Sequence, residues 1–425
     1  MPPRVDIAIV GAGAAGLAAG IFAAETNPSF RIVLLDGAKT IGAKILVSGG
    51  GRCNVTNQKV TASDFHGNRK VIDRILRRFD EQDTIDWFDS LGVRLQTEST
   101  GKLFPTTHKA RTVLNALLDQ CKKMSVTLLT QHHVQSITHQ GPTFFIQHSK
   151  GTLHARQVIM ATGGRSLPKT GSDGSGWTLA QHLGHTITPT YPALVPLLLD
   201  DSFFHADLSG ISHDVMLTTR VNHQIVDRRT GSLLWTHFGV SGPVVMDASR
   251  FWVLAAEQGH HVQLHLNCFP QDTYKEVENW LIQTASLPGG KTVQSLLAER
   301  LPSRVATHLA QFLEPDISHT RVNLLQKDTR STLVHTLTNL GLPVIGSRGW
   351  NFAEVTAGGV PLKEINPSTM ASKKVPGLYL IGEMLDCDGR IGGFNFQWAW
   401  ATGYLAGYHA AQGTQGKKPS TNKLI

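Results

Sequence analysis

Cysteine is scarce in this sequence. The 425 residues include four, Cys53, Cys121, Cys268 and Cys387, and no two of them form a CxxC pair. So few cysteines do not form the disulfide framework of a secreted domain, and we expect a reducing compartment and a cytoplasmic location. Zinc-type spacing of cysteine and histidine is also absent, so we expect no metal site.

Long hydrophobic runs are equally scarce. The main candidate covers residues 7–24, "IAIVGAGAAGLAAGIFAA", which carry no charge and lie near the N-terminus. A signal peptide needs a basic segment ahead of its apolar run, whereas here only Arg4 and the acidic Asp6 precede it. The run also starts as a strand and turns through glycines, and no other stretch approaches the ~20 apolar residues of a membrane span. We therefore expect neither secretion nor membrane association.

The sequence has no long run of one charge sign. Lys and Arg number 40 against 32 Asp and Glu, which gives a net charge of +8, but the cations are spread along the chain. Their densest cluster lies at residues 69–78, on a predicted helix that includes Asp73, and a solvated helix face is the simpler interpretation. We therefore do not expect nucleic acid as a partner, and no pattern predicts the oligomeric state.

Glycine, in contrast, is abundant, with 41 residues. The first group is Gly11-Ala12-Gly13-Ala14-Ala15-Gly16, a GxGxxG motif between a predicted strand (5–10) and a predicted helix. Its glycines permit a tight turn, the approach of a pyrophosphate and close helix–strand packing, and the helix N-terminus then binds the anion. Asp36 ends the next predicted strand (31–36), where an acid accepts hydrogen bonds from an unphosphorylated ribose. This pattern predicts a dinucleotide-binding βαβ unit.

Three further stretches favour FAD over NAD. "AKILVSGGGRCN" (43–54) would supply a second loop for a cofactor too long for one nucleotide fold, and "VIMATGG" (158–164) runs from an apolar strand into a glycine turn. "GLYLIGEMLD" (377–386) ends a strand at Gly-Glu, the acid that binds the ribityl chain in two-dinucleotide-fold flavoproteins. The last predicted helix opens at a glycine pair, and its dipole would stabilise the anionic reduced flavin. Beyond the GxGxxG motif and Asp36, the predicted cofactor-binding residues are Gly37, Lys44, Ser48, Gly49, Gly50, Gly51, Arg52, Cys53, Asn54, Ala161, Thr162, Gly163, Gly164, Gly382, Glu383, Gly392, Gly393, Phe394 and Asn395.

Hydrophobic periodicity predicts an α/β fold whose FAD-binding domain is interrupted in the chain. Residues 1–200 form its N-terminal part, with helices at 68–90 and 110–123 among short strands. From 201 to 348 the pattern changes to strands at 213–221, 231–240 and 261–266 and amphipathic helices near 273–286, 292–313 and 330–341, which indicates an inserted second domain. The first pattern returns at 349–412, and the polar tail at 413–425 is expected to be flexible.

These stretches resemble the bacterial FAD-binding flavoproteins of the 3-dehydro-bile-acid Δ4,6-reductase and aminoacetone-oxidase type. The resemblance rests on "VGAGAAGLAA", "GAKILVSGGGRCNVTN", "ATGGRSLPKTGSDGSGW", "PALVPL", "THFGVSGP" and the stretch from "VTAGGVPLKEINP" to "GGFNFQWAWATGYLAG", and it spans about residues 5–407. It implies a Rossmann-like FAD-binding domain of the two-dinucleotide-fold type, assembled from both ends of the chain, with an inserted β-barrel-like and helical domain. It also implies that Asp36 holds the adenosine ribose, that the backbone of Val134 lies against adenine, and that Gly382, Glu383, Gly392 and Asn395 lie along the ribityl chain and the isoalloxazine ring.

Three residues are candidates for a chemical role, and each has a structural alternative. Cys53 lies in the glycine stretch, but a redox cysteine normally needs a partner, so packing is its alternative. Arg52 could neutralise the pyrophosphate or N1 of a reduced flavin, or it could form a structural ion pair. His237, in the predicted inserted domain, could donate a proton near the flavin, although any one of the 20 histidines is more often structural.

The sequence therefore predicts an FAD-dependent oxidoreductase that moves hydride through flavin N5 to or from a small organic substrate. Reduction of an activated C=C bond and amine oxidation are both compatible with this chemistry. Because no second GxGxxG motif is present, NAD(P)H is expected to dock transiently as the reductant. Two alternatives stay open: a flavin-dependent tRNA-modifying protein, which the basic charge permits, and a non-enzymatic flavin-binding redox sensor.

Overall fold

The computed structural model describes residues 2–288 and 290–412, which form two compact units. Among the described residues, those up to 190 and those from 355 onwards form one unit, and those between 191 and 354 form the other. The flexible tail that the sequence predicts at 413–425 lies outside the described residues.

The helices and strands of the described residues are as follows. The strands are β1 (Arg4–Val10), β2 (Ile32–Leu35), β3 (Thr56–Asn57), β4 (Phe65–His66), β5 (Leu95–Thr97), β6 (Lys102–Pro105), β7 (Thr127–Leu129), β8 (Val134–Gln140), β9 (Thr143–His148), β10 (Gly151–Met160), β11 (Thr188–Ala193), β12 (Leu197–Leu199), β13 (Ser212–Val221), β14 (Gln224–Thr236), β15 (Gly239–Ser241), β16 (Val262–Asn267), β17 (Leu340–Leu342), β18 (Val344–Ser347), β19 (Val355–Gly359), β20 (Leu378–Leu380) and β21 (Asp388–Gly389). The helices are α1 (Ala14–Thr26), α2 (Ala43–Gly51), α3 (Arg69–Leu76), α4 (Glu81–Ser90), α5 (Ala110–Lys123), α6 (Ser175–His182), α7 (Pro243–Glu257), α8 (Tyr274–Ala285), α9 (Val293–Leu297), α10 (Ser303–Gln311), α11 (Lys327–Asn339) and α12 (Phe394–Gln412).

The first unit is built on a mixed sheet of seven strands, in which β7, β2, β1 and β10 are parallel neighbours and β20 also pairs in parallel with β10. β9 and β8 continue the sheet beyond β10 as antiparallel strands. β1 and β2 are almost wholly apolar and buried, as expected for strands covered on both faces. Val10 is in register with both Leu35 and Met160, and Met160 is in register with Leu380. The carboxyl ends of the central strands therefore meet at one edge of the sheet, which is where α/β folds bind nucleotides.

The apolar run at residues 7–24 is divided between β1 and α1. The strand ends at Val10, the glycine turn follows, and α1 begins at Ala14. Within residues 2–288 and 290–412, no helix combines the length and the hydropathy that crossing a membrane requires.

Helix α12 closes the first unit by packing along α1, and one amide fixes its N-terminal turn. The buried Gln397 side chain accepts hydrogen bonds from the hydroxyls of Thr56 (2.7 Å) and Thr84 (2.8 Å), and its Nε2 donates to the carbonyl of Phe79 (3.0 Å). A buried amide with all these partners specifies its position, because any shift would leave polar atoms unpaired. The start of α12 is thus held against β3 and α4.

The second unit contains an antiparallel sheet with the order β17-β16-β13-β14-β15-β12-β18. Its two edge strands, β17 and β18, are separated in the chain by Pro343 alone, so the sheet must curl until its edges approach. Five helices, α7 to α11, accompany this sheet within the described residues, and the shared core includes Trp235, Leu266 and Leu337. The expected Rossmann-like domain with a barrel-like and helical second domain is confirmed.

The domain boundaries expected at 200 and 348 differ from the limits of these units. β12 pairs with β15 and β18, so residues 197–199 pack with the second unit, and that unit extends from 191 to 354. The apolar segment at 192–200 gave no sign of this pairing, because strand partners distant in sequence are not encoded locally.

A buried carboxylate joins the two chain segments of the first unit. Glu364 Oε2 lies 2.7 Å from His185 Nδ1, and Oε1 accepts from the Thr186 hydroxyl (2.6 Å) and pairs with Lys374 Nζ (2.8 Å). Burial alone would raise the pKa of Glu364, but these hydrogen bonds outweigh it and lower the pKa to about 2. Burial lowers the pKa of His185, which the Glu364 carboxylate only partly opposes.

We expect this pair to make the protein less stable in acid. The stability from Glu364 is complete above the unfolded carboxyl pKa of about 4.3 and is lost as pH falls towards 2. The stability from neutral His185 is complete above about 6.5 and is lost as pH falls below that value. In urea unfolding from pH 8 to pH 3, Glu364→Gln should flatten the lower part of the stability curve and His185→Gln the upper part. Variant curves parallel to the wild-type curve throughout would contradict this assignment.

Candidate flavin site

The GxGxxG turn lies at the carboxyl end of β1 and leaves an open cradle. Gly11 has φ +100°, and a Cβ there would lie 2.4 Å from the carbonyl oxygen of Ala161, so this position requires glycine. At Gly13, the N-cap residue of α1, a Cβ would have no protein atom within 4 Å. Side chains do not cap the first turn of α1, and no acid lies in it. The open space at Gly13 and the uncapped N–H groups of α1 fit a pyrophosphate.

Asp36 lies beside this turn, at the end of β2. Its Oδ2 accepts from the N–H of Ala12 (2.8 Å) and its Oδ1 from the N–H of Ala38 (2.8 Å). Each carboxylate oxygen keeps a further lone pair, which suits a ribose hydroxyl. The N–H of His132 donates to the Asp36 carbonyl (2.8 Å), and a Cβ on Gly37 would lie 3.0 Å from the His133 ring. The structure thus brings the start of β8, with Val134, to the ribose end of the site, as the adenine contact would need.

The three consecutive glycines form a left-handed turn at the end of α2. Gly49, Gly50 and Gly51 have φ values of 55°, 67° and 83°, and Ser48 before them is extended. The backbone conformation alone therefore explains the glycines, because residues with a Cβ are strained in this region. All three are exposed, and Gly50 has open space around its Cβ position. The Ser48 hydroxyl donates to the carbonyl of Ile45 (2.8 Å). Close approach of the cofactor to this turn stays a prediction.

A charged pair lies where the ends of β10 and β20 meet. Lys44 Nζ forms a salt bridge with Glu383 and lies 2.5 Å from Ser166 Oγ. Glu383 Oε1 also accepts from Ser166 Oγ (2.7 Å) and from the N–H of Thr356 (2.9 Å). A Cβ on Gly164 would lie 3.0 Å from the same oxygen. The carboxylate predicted to bind the ribityl chain is therefore positioned by three partners, and its charge is balanced by Lys44.

The remaining residues after β10 line the same edge. Ala161 continues the strand, since its N–H donates to the Val10 carbonyl (2.8 Å). Thr162 Oγ1 lies 3.9 Å from the sulfur of Met384, and Gly163 has φ +73°. These residues lie between the GxGxxG turn and Glu383, and their contact with FAD stays a prediction.

The loop before α12 is closed by Asn395. Its Oδ1 accepts from the N–H of Gly389 (2.8 Å) and its Nδ2 donates to the Gly389 carbonyl (2.8 Å). Asn57 Nδ2 donates to the carbonyl of Gly392 (2.9 Å), which ties the loop to β3. Phe394 is buried against Phe65. The side chain of Asn395 therefore shapes the loop, and the backbone N–H groups of Gly393 and the first turn of α12 are the groups that the geometry offers to a flavin.

Arg52 forms an ion pair within the protein, which is one of the two roles that the sequence left open for it. Its Nη1 lies 2.6 Å from Glu98 Oε1, and its guanidinium carbon lies 4.0 Å above the Phe104 ring. Asn54 is 8% exposed, and its Oδ1 is buried without a hydrogen-bond partner among the described residues. The stretch after the glycines is thus held to β6, and Asn54 retains an acceptor for a ligand donor.

Cys53 is completely buried at a positive φ of 60°. Burial raises the pKa of its thiol to about 12, and the hydrogen bond with Ser48 offsets only part of that effect. All four cysteines are free and buried, so no second thiol is paired with Cys53. This environment favours packing over redox chemistry, because a reactive cysteine needs an accessible thiolate.

We expect Cys53→Ala to retain its FAD and to be reduced at a rate within about twofold of the wild type, since the thiol takes no part in a packing role. At pH 8 a thiol with this pKa is a thiolate in roughly one molecule in ten thousand, so native protein should resist iodoacetamide. Mass spectrometry after alkylation and the flavin absorbance of both proteins provide the readout. Rapid labelling of native Cys53, or loss of flavin reduction in the variant, would restore the chemical role.

His237 belongs to the second unit, at the tip of the hairpin between β14 and β15. It is exposed, and its ring packs edge-on against Phe238 at 5.1 Å. The predicted cofactor-binding residues belong to the first unit, and the role of His237 as a proton donor stays a prediction.

Ser166, Thr356 and Gln397 were missed by sequence reasoning. Thr356 Oγ1 accepts from the N–H groups of Arg165 (2.8 Å) and Ser166 (3.1 Å), across 190 residues of chain in the second case. Nothing local to "GGRS" or "VTAGG" signals that pairing, although both stretches carry small polar residues beside glycines.

Fold and site together define the class of protein. Glycine turns, an open helix N-terminus and two fixed carboxylates at the carboxyl ends of parallel strands are the elements of a Rossmann flavoprotein. The family described as the HI0933-like protein Rossmann domain matches residues 5–409, and the chain belongs to it.

Relatives with two different names match nearly the whole chain. The 3-dehydro-bile acid delta(4,6)-reductase of Clostridium scindens is 32% identical over 411 residues, which cover 96% of this chain and 99% of that protein. The ribosomal RNA dihydrouridine synthase of Escherichia coli is 33% identical over 405 residues, with 94% and 96% covered. The chain is an FAD-dependent oxidoreductase, and the resemblance expected from its motifs is confirmed.

Among solved structures, an E. coli quinol fumarate reductase FrdA chain superposes with a TM-score of 0.51 at 16% identity, covering 99% of this chain and 72% of that one. At this identity the similarity concerns the fold alone.

Proposed function

We propose that this protein reduces a C=C bond conjugated to a carbonyl group, with NAD(P)H as the source of hydride. The observation that carries the proposal is the cradle at the carboxyl ends of β1, β2, β10 and β20, which fits FAD. The names of the two relatives supply the substrate type, since a Δ4,6-reductase and a dihydrouridine synthase both add two hydrogens across a C=C bond. When bound, FAD supplies the hydride chemistry.

The protein's own residues have three tasks in this proposal. The first turn of α1 holds the pyrophosphate, and Asp36 orients the adenosine ribose. Glu383, held by Lys44, Ser166 and the Thr356 amide, accepts from ribityl hydroxyls. The N-terminal dipole of α12 would favour negative charge at the pyrimidine edge of a bound flavin ring.

Anaerobic mixing of the yellow protein with NADH or NADPH tests the source of hydride. Flavin bleaching by either nucleotide, followed by reoxidation on adding an enone, supports the proposal. Reoxidation by an imine but not by enones would favour the amine–imine couple, and no bleaching with no turnover would favour a redox sensor. A protein that takes up no FAD would refute the cofactor assignment itself.

RNA is a second candidate substrate, and the absence of a nucleic-acid partner expected from the sequence is not well supported. A relative named for dihydrouridine in ribosomal RNA covers nearly the whole chain, and the net charge is +8. Uracil carries a C=C bond conjugated to a carbonyl, so the same hydride chemistry applies. Mass spectrometry of uridine-containing RNA, incubated with the reduced protein, would reveal dihydrouridine, and none would be found if small molecules are the substrates.

The cytoplasmic location stays a prediction.

A further inference from the structure

Helix α3 is fixed to the loop that precedes α12. β4 pairs with β21, in the register His66 with Asp388 and Phe65 with Gly389, and α3 begins three residues after β4. A Cβ on Gly67, between β4 and α3, would lie 3.0 Å from the carbonyl oxygen of Asp386. The start of α3 therefore stands beside residues 386–393, which lead into the helix N-terminus proposed to face the flavin.

The outer face of α3 carries a row of cations. Lys70 and Arg74 are four residues apart and therefore lie one above the other on α3, and Arg78 follows four residues later in the turn after the helix; all three are exposed. The opposite face is buried through Ile72, Ile75 and Leu76. We call Lys70, Arg74 and Arg78 the basic row.

The basic row lacks the charge pairing of a solvated face. Among the ion pairs of the described residues, Arg77 pairs with Asp73 at 2.9 Å, whereas none includes a residue of the basic row. Like charges four residues apart destabilise a helix, so a face selected only for solubility would alternate the signs.

We propose that the basic row binds the phosphate backbone of an RNA whose uridine enters the flavin site. This inference rests on the second candidate under Proposed function. Single-stranded RNA presents its bases splayed from the backbone, so phosphates that flank a bound uridine must cross the surface around the site. Lys and Arg bind such phosphates without regard to sequence. The next helix in the chain, α4, is acidic, with Glu81, Asp83 and Asp86, and would repel phosphate.

The test compares two variants of the FAD-loaded protein that each lose three cations. Lys70→Gln/Arg74→Gln/Arg78→Gln removes the basic row, and glutamine keeps the helix propensity. Arg111→Gln/Lys122→Gln/Lys123→Gln removes three exposed cations of α5 and is the matched control. Fluorescence anisotropy with a fluorescein-labelled 20-nucleotide oligouridine measures the affinity from 50 to 200 mM salt. Circular dichroism and flavin absorbance verify folding, and Arg74→Gln serves alone if the triple variant is unstable.

We expect the basic-row variant to bind at least roughly tenfold more weakly at low salt, and its slope of log affinity against log salt to fall by about two, at ~0.7 per phosphate lost. The control should change affinity by less than about twofold. Equal losses in both variants, no loss in the basic-row variant, or no binding by the wild type would overturn the proposal. Dihydrouridine formation unchanged in the basic-row variant would also overturn it but leave the RNA function standing. Weaker binding by the basic-row variant, with no dihydrouridine formed by either protein, would support phosphate binding by the basic row and reject RNA reduction as the function.

Discussion

Gly13→Ala should weaken FAD binding by roughly five- to 150-fold, the equivalent of about 1–3 kcal/mol for overpacking a tight contact. The added methyl group meets no protein atom, because nothing lies within 4 Å of its position. It would instead occupy the space at the N-terminus of α1 where we propose that the pyrophosphate binds. Titration of apoprotein with FAD, followed by flavin fluorescence quenching, measures the change.

Gly341→Ala is the matched control for this substitution. Gly341 lies in β17 of the second unit, and a Cβ there also has no atom within 4 Å. In urea unfolding, the free energy of unfolding of both variants should lie within about 1 kcal/mol of the wild-type value. Neither glycine has a positive φ, and alanine reduces the entropy of the unfolded chain. Undiminished FAD affinity in Gly13→Ala would place the pyrophosphate elsewhere.

The βαβ unit and its ligand-binding edge could be predicted because their signals are local. The GxGxxG turn, Asp36 and the two strands lie within 36 residues, and the structure places Asp36 beside the turn through its bond to Ala12. The left-handed conformation of Gly49, Gly50 and Gly51 was not predicted, since a glycine run does not distinguish backbone strain from ligand approach.

The helix expected at 68–90 is two helices, and its interruption has a specific cause. Asp80 Oδ1 accepts from the N–H groups of Gln82 (2.9 Å) and Asp83 (3.0 Å), and Asp83 Oδ2 accepts from the N–H of Asp80 (2.9 Å). This capping box starts α4, but the apolar spacing that continues through Phe79 conceals it. Helix α7 was not expected at all, because the β-branched residues in its first turn favour a strand and its packing is tertiary.

The network around Glu383 could not be predicted as a unit. Its members come from positions 44, 166, 356 and 383, and only the fold brings them together. Lys44 and Glu383 were each assigned to the cofactor, and the structure shows that they also bind each other. Their mutual contact therefore has consequences for stability as well as for FAD binding.

Lys44→Met should lower the free energy of unfolding by about 1–3 kcal/mol, because it leaves the Glu383 carboxylate without its cation in a half-buried site. The effect should be smaller than the ~3–5 kcal/mol of a fully buried pair, since the two side chains remain 29% and 18% exposed. FAD affinity should fall as well, because Glu383 loses the partner that orients it towards the ribityl chain. Urea unfolding and FAD titration measure the two effects separately.

A double-mutant cycle isolates the pair from the loss of either side chain. The double variant Lys44→Met/Glu383→Gln has no unpaired charge. Its loss in free energy of unfolding should therefore be smaller, by at least about 1 kcal/mol, than the sum of the losses in the two single variants. Lys291→Met, which breaks the exposed pair with Glu299 (51% and 44% exposed), is the control and should cost only about 0–1 kcal/mol. If Lys44→Met costs no more than Lys291→Met and the cycle shows no coupling, the Lys44–Glu383 pair is not what positions the carboxylate. Ser166 and the Thr356 amide would then hold Glu383 for the cofactor on their own.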